Sequence, residues 1–210
     1  MGRYTGPTCR LCRREGIKLM LKGARCDTAK CPLERQWRNT PPGMHNWRRR
    51  RGSEYAVRLR EKQKVKRFYG IFERQFRRYF KMAEREKTNT GVALLRLLER
   101  RLDNVVYKLG FAPSRAAARQ TITHGHIYVN GRKASSPSML VKVGDKISVK
   151  PSEKSQKLIR QRLEEIGEPS VQNWLKLDTA KLEGTVVAMP SRDDVTIPVE
   201  ENLIVEFCSR

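Results

Sequence analysis

Four of the five cysteines lie close together near the start of the chain: Cys9, Cys12, Cys26 and Cys31, spaced C-x2-C-x13-C-x4-C. Two short thiol pairs joined by a loop can converge four soft sulfur ligands on the tetrahedral geometry that structural zinc requires. All-thiolate ligation also suits an iron–sulfur cluster, so Zn2+ is the first expectation and an iron–sulfur cluster the alternative. Four protein ligands leave no open coordination position, so such a metal braces a fold and does no catalysis. Gly6, Gly16, Gly23 and Pro32 supply turn residues around the ligands, and Arg10, Arg13 and Arg14 flank them. The fifth cysteine, Cys208, has no second thiol nearby in sequence and is read as packing. His124 and His126 could suggest acid–base work, but no carboxylate or nucleophile accompanies them in a motif. They read as turn or surface-contact residues, and no catalytic residue is assigned.

The second chemistry is electrostatic. The 210 residues carry 45 Lys/Arg against 22 Asp/Glu, a net charge of +23. An excess of that size repels itself in a compact fold unless a polyanion neutralises it. Residues 1–87 hold 26 Lys/Arg against 8 Asp/Glu, whereas residues 161–210 hold 5 against 10. The body therefore requires a polyanion and the acidic end another partner, or pairing with the basic body itself. No run approaches the roughly 18 apolar residues of a membrane span. The N-terminus lacks an apolar signal segment, which points away from secretion and from a disulfide framework.

Several elements must position these groups. The Thr40-Pro41-Pro42-Gly43 turn leads to His45 and to Arg48, Arg49, Arg50 and Arg51, too charged to pack and suited to phosphate. Ser53 can cap a helix to about Tyr69, with Gly70 at its C-terminal cap. That helix carries Arg58, Arg60, Lys62, Lys64, Lys66 and Arg67 against Glu54 and Glu61. A second helix presents Phe72, Phe76, Tyr79, Phe80 and Ala83 on one face and Arg74, Arg77, Arg78 and Lys81 on the other. A third is expected from about Gly91 to Leu109. Ser114 then caps a short helix from Arg115 to about Thr123 carrying Arg119, and His124-Gly125-His126 breaks it. Ile127–Val129 reads as a strand, Asn130-Gly131 as a type I′ turn, and Arg132-Lys133 as the return. Lys142–Val149 gives a further turn and strand. Helix N-terminal amides with Arg115 and Arg119 make a phosphate platform, and a DNA-binding helix-turn-helix is the rival reading at this point.

The stretches Glu99–Tyr107 and His124–Gly131 resemble the small RNA-binding module called the S-four domain. Ser53–Lys64, Tyr69-Gly70 and Glu73–Phe76 are similar to the helical domain of the bacterial small-subunit ribosomal protein S-four family. The opening Met1–Tyr4 and the closing Ile204–Arg210 resemble that family's two ends, and the four cysteines resemble its metal-bearing branch. Pro42-Gly43-Met44-His45-Asn46 departs from the family's usual Pro-Pro-Gly-Gln-His-Gly.

The resemblance implies an α+β fold. A metal knuckle (residues 1–45) and a basic helical domain (46–98) precede an S-four domain (99–160) whose helices pack on a small, mainly antiparallel sheet. An acidic segment (161–210) completes the fold, with short runs at Trp174–Leu177, Val186-Val187 and Leu203–Val205 read as strands. It also implies a cytoplasmic ribosomal protein, monomeric within the small subunit, that binds small-subunit rRNA directly, nucleates assembly and contributes to translational accuracy. Small-subunit proteins S-five and S-twelve are its implied partners, and in some bacteria family members repress their own messenger RNA. Arg3, Tyr4, Arg10, Arg13, Arg14, His45, Arg48–Arg51, Tyr55, Arg58, Arg60, Lys62, Lys64, Lys66, Arg67, Tyr69, Gln75, Arg77, Arg115, Arg119, His124, His126, Asn130, Arg132 and Lys133 become the expected RNA contacts. Asp193, Asp194, Glu200 and Glu201 become the expected protein interface. An enzyme using the module as an appendage, such as a pseudouridine synthase, would need a catalytic domain for which no residues remain.

Overall fold

The computed structural model describes residues 2–44, 52–167 and 171–209, which form two compact units. One comprises Met1–Leu94 with Thr196–Arg210, the other Leu95–Val195. The acidic end is thus divided: its last part folds with the N-terminal unit.

In the first unit, helix α1 (Thr8–Glu15) ends at Gly16 in the left-handed region, φ 71°. Cys9 and Cys12 therefore sit one helical turn apart rather than in an irregular knuckle. Two 3-10 turns follow, Gly23–Asp27 and Gln36–Arg38. Helix α2 (Glu54–Phe68) starts where the sequence signals it: Ser53 Oγ accepts the Ala56 amide at 3.3 Å, and Gly70 adopts φ 64° just beyond the last turn. Helix α3 (Glu73–Ala83) buries Phe76, Tyr79, Phe80 and Ala83. Phe72 is half-exposed rather than part of that core, because it lies before the helix at the N-cap. Helix α4 (Thr90–Glu99) carries the boundary between the units.

In the second unit, α5 (Leu102–Lys108) is separate from α4, so the expected helix from Gly91 to Leu109 is two helices. The break is set by long-range pairing. Arg101 is extended and bridges Leu140, the Leu102 amide donates to Met139 O at 2.8 Å, and the Val141 amide donates to Arg100 O at 3.0 Å. Helix α6 (Arg115–Thr123) is capped by Ser114 Oγ, which accepts the Ala117 amide at 3.2 Å. Then come β1 (Ile127–Val129), β2 (Arg132–Lys133), β3 (Lys146–Val149), helix α7 (Glu153–Ile166), β4 (Leu175–Asp178) and β5 (Glu183–Val186). Positive φ at both Asn130 and Gly131, 50° and 76°, gives the type I′ turn between β1 and β2. The sheet order is β2-β1-β3-β5-β4, antiparallel throughout. Val105, Leu109, Ile122, Ile127, Ile147 and Trp174 are in its core. Gly184 in β5 admits this packing, since a side chain there would collide with buried Leu109.

The run Leu203–Val205 is not a strand. It lies in helix α8 (Glu201–Cys208), which packs on α2 and buries Ile204. Helix α7 has no counterpart among the expected elements, and the expected boundary at residue 160 falls inside it. Among the described residues no helix is long and apolar enough to cross a membrane.

Candidate nucleic-acid interface

Helix α2 brings six cations together, and they are answered by carboxylates of other elements as well as its own. Glu73, at the first position of α3, accepts Lys62 at 2.6 Å, Lys66 at 3.1 Å and Arg77 at 3.2 Å. Burial alone would raise its carboxyl, but the hydrogen bonds from Lys62 and Lys66, with Lys62's charge and a bond from Arg77, hold it at about 2. Glu15, whose side chain is only 1% exposed, pairs with Arg67 and with Arg60 at 3.4 Å. Burial pushes Glu15 up against the pull of Arg67 and Arg60, and the same burial lowers Arg67 against the pull of Glu15. Glu15 stands in the last turn of α1, where a carboxylate opposes the helix dipole. Its location is therefore explained by the α2 cations, not by its own helix. Arg58 binds Glu206 at 2.6 Å and Glu54 at 2.9 Å, and Lys64 pairs with Glu61.

These contacts divide the expected RNA residues. Lys62 is buried beneath the Phe207 ring, 4.7 Å from its centroid, and Tyr69 is 2% exposed. Neither can meet a phosphate at the surface, which corrects both expectations. Arg58, Arg60, Lys64, Lys66 and Arg67 are held first by carboxylates. Tyr55 is exposed but tilts against Phe207, with ring centroids 5.4 Å apart. Arg13 donates to Thr40 O at 3.5 Å, and Gln75 is half-buried. Arg3, Tyr4, Arg10 and Arg14 are exposed, as are Arg74, Arg77, Arg78 and Lys81 on the outer face of α3. Among the described residues, no carboxylate pairs with Arg10, Arg14, Arg74, Arg78 or Lys81. His45 and Arg48–Arg51 lie outside the described residues.

The second unit repeats this division. Arg115 is 8% exposed; its Nε donates to Asn104 Oδ1 at 2.8 Å and its guanidinium lies over the Tyr107 ring. It is a structural residue rather than a surface phosphate ligand. Asn104 in turn donates to Glu99 Oε2 at 2.6 Å, and Lys108 pairs with Glu99 at 2.8 Å. Lys108 also donates to Gln172 and to Asp194 O, tying α5 to the strand region. Burial lowers Lys108 while Glu99 raises it. The hairpin cations Arg132 and Lys133 are exposed, with His124, Lys142, Lys146 and Lys150, while Arg119 is half-buried. Asn130 is a lock for its loop: its amide donates to Asp145 at 2.8 Å and its oxygen accepts the Lys146 amide at 2.9 Å. His126 Nδ1 meets Ser155 Oγ at 2.9 Å; burial first, then His124, Arg162 and Lys150, lower its pKa.

Cys12, Cys26 and Cys31 are buried and Cys9 is half-buried. The Lys22 amide donates to Cys26 Sγ at 3.4 Å. Burial raises the Cys12 thiol, a backbone hydrogen bond at Leu19 opposes it, and charge on Cys26, Cys9 and Cys31 raises it further. The donor set suits a thiophilic metal. Among the described residues, however, no three His, Cys, Asp or Glu side chains close into a metal-holding group. Burial also raises the Cys208 thiol.

Of the expected protein-interface residues, Asp193 and Glu200 are exposed. The Asp194 carboxylate accepts the Ser191 amide and hydroxyl at 2.7 and 2.8 Å, closing a local turn. Glu201 begins α8 beside Gly91.

The Glu73 cluster carries a pH signature. Its depressed carboxyl contributes stability that is full above about 4.5 and is lost as pH falls toward about 2. Glu73→Gln should therefore unfold at lower urea than wild type at neutral pH, with the gap narrowing through that acid window. A gap independent of pH in paired urea titrations would contradict the cluster.

Comparison with known proteins agrees with this architecture. Residues 3–99 match the ribosomal protein S4/S9 N-terminal domain, and residues 100–147 match the S4 domain. The chain is 56% identical to small ribosomal subunit protein uS4A of Symbiobacterium thermophilum. It is 57% identical to uS4 of Halothermothrix orenii and 55% to uS4 of Thermus thermophilus, with 100% of each chain covered in all three comparisons. With both domains in order and matches running end to end, the chain belongs to the small ribosomal subunit protein uS4 family.

Proposed function

We propose that this chain is a structural, rRNA-binding component of the small ribosomal subunit and has no enzymatic role. The observation that carries the reading is the sorting of charge. Carboxylates are spent on the α2 cations, while Arg10, Arg14, Arg74, Arg78 and Lys81 in one unit and Arg132 and Lys133 in the other stay at the surface. Folded RNA is recognised through shape, phosphate and 2′-hydroxyl contacts, for which fixed cations on helices and a tight hairpin are suited. Direct binding to the rRNA early in assembly of the subunit, and a contribution to translational accuracy, extend this reading. Proteins S-five and S-twelve are the proposed neighbours. A basic side chain of S-five would find Asp193 exposed at the rim of a pocket of about 340 Å³, lined also by Asn173, Trp174 and Met189.

We also propose that Cys9, Cys12, Cys26 and Cys31 hold zinc, with an iron–sulfur cluster second. Four thiols confined to one small segment and an amide already directed at Cys26 Sγ support it. When bound, the metal would supply folding energy to residues 1–44.

Two measurements test these readings. In competition binding, structured small-subunit rRNA should displace the protein from duplex DNA of equal length. Equal preference would favour a general nucleic-acid binder. Elemental analysis of intact protein should find zinc or iron near one site per chain, and chelation should raise amide exchange in residues 1–44 while sparing the second unit. Metal-free protein with an unchanged exchange pattern would reject the metal.

A further inference from the structure

Among the described residues, the largest aromatic side chain left at the surface is Trp37, 69% exposed, whereas Trp174 is 2% exposed. A tryptophan is normally mostly buried, and exposing its ring forfeits hydrophobic stabilisation. The other exposed rings have neighbours within the fold. Tyr55 leans on Phe207, the Phe72 ring lies over the Gly2 backbone, and Tyr4 lies over Gly6. Trp37 has instead the Arg38 guanidinium, 4.3 Å from its ring centroid. One face is thus backed by a cation, and the high exposure leaves the opposite face open.

The backbone beneath it is pinned. Trp37 is the central residue of the 3-10 turn Gln36–Arg38. The Arg38 and Asn39 amides both donate to Arg35 O at 2.9 Å, and Arg35 Nε donates to Ala29 O at 3.0 Å. A ring held this way loses little further freedom when it binds. The charge beside the ring selects the occupant. Arg38 lies against it, exposed Lys30 follows the Ala29 to which Arg35 is bonded, and Glu34 is taken up by Lys18. An apolar protein surface would have to desolvate these cations, whereas a nucleotide offers them phosphate together with a flat ring.

We propose that Trp37, backed by Arg38, is a stacking platform for one unpaired base of the bound RNA. This rests on the rRNA-binding reading above and assigns a site to it. The base lies on the open face of the indole, and the guanidinium keeps its N–H edge for a neighbouring phosphate.

The test uses the full-length protein and a transcript of small-subunit rRNA. Stacking on one base is worth roughly 1–3 kcal/mol, so Trp37→Leu should weaken binding about 5- to 150-fold. Trp37→Phe, which keeps an aromatic face, should recover most of that loss. RNA should quench wild-type tryptophan fluorescence more than that of Trp37→Phe, which reports contact with residue 37 independently of affinity. Trp37→Leu with wild-type affinity, together with equal quenching in wild type and Trp37→Phe, would overturn the platform and leave the rRNA reading standing. Unchanged RNA affinity with impaired incorporation into subunit particles would also overturn it, assigning the ring to a protein neighbour. Wild-type protein that fails to bind the transcript would overturn both.

Discussion

The structure depends on how a chain with a net charge of +23 distributes its few carboxylates. Two cations about 4 Å apart repel by ~4 kcal/mol at an effective dielectric of about 20, so a helix as basic as α2 cannot pack unless neighbours answer it. Glu73, Glu15, Glu61 and Glu206 do so, from α3, α1, α2 itself and α8. Isolated exposed pairs contribute only ~0–1 kcal/mol. Glu73 differs by drawing three cations to one carboxylate, and Glu15 by being buried. These anions bring α1, α3 and α8 to α2. By committing the α2 cations, they leave the positive surface of this unit to cations elsewhere, among them the outer face of α3 and the exposed arginines of α1.

The second unit uses the same logic with deeper burial. Glu99 and Lys108 are an ion pair whose side chains are 0% and 6% exposed; Asn104 donates to Glu99 and accepts from Arg115, and Lys108 also donates to Gln172. Such a network is costly when half-made and specific when complete. It holds α5, α6 and the start of β4 in one arrangement. That in turn fixes the sheet from which the Asn130-Gly131 turn presents Arg132 and Lys133.

Short-range signals in the sequence are legible, and long-range ones are not. Ser53, Ser114 and Asn130-Gly131 act through hydrogen bonds and φ angles within a few residues, so their helices and hairpin follow from the sequence. The break at Arg100-Arg101 does not, because it depends on pairing with residues 139–141 that no local pattern announces. Leu203–Val205 reads as a strand because three apolar residues in a row carry no period of their own. The division among cations is hidden for the same reason: Arg67 finds its partner 52 residues away and Arg58 finds one 148 away. Composition announces a basic surface, but burial at Lys62, Tyr69 and Arg115 decides which residues can belong to it. The clustering of four cysteines is plain in the sequence, while the helix carrying the first two is not.

The most direct test of this sorting compares the salt dependence of rRNA binding for two multiple variants. One neutralises Arg10, Arg14, Arg74, Arg78 and Lys81; the other neutralises Arg58, Arg60, Lys64 and Arg67. The slope of log affinity against log salt should flatten in the first by about 0.7–0.9 for each phosphate that the protein no longer neutralises, with the unfolding midpoint near wild type. The second should keep the wild-type slope and lose stability. A flattened slope in the second set, with the first indistinguishable from wild type, would show that the α2 cations face the RNA and that their carboxylates are not their working partners.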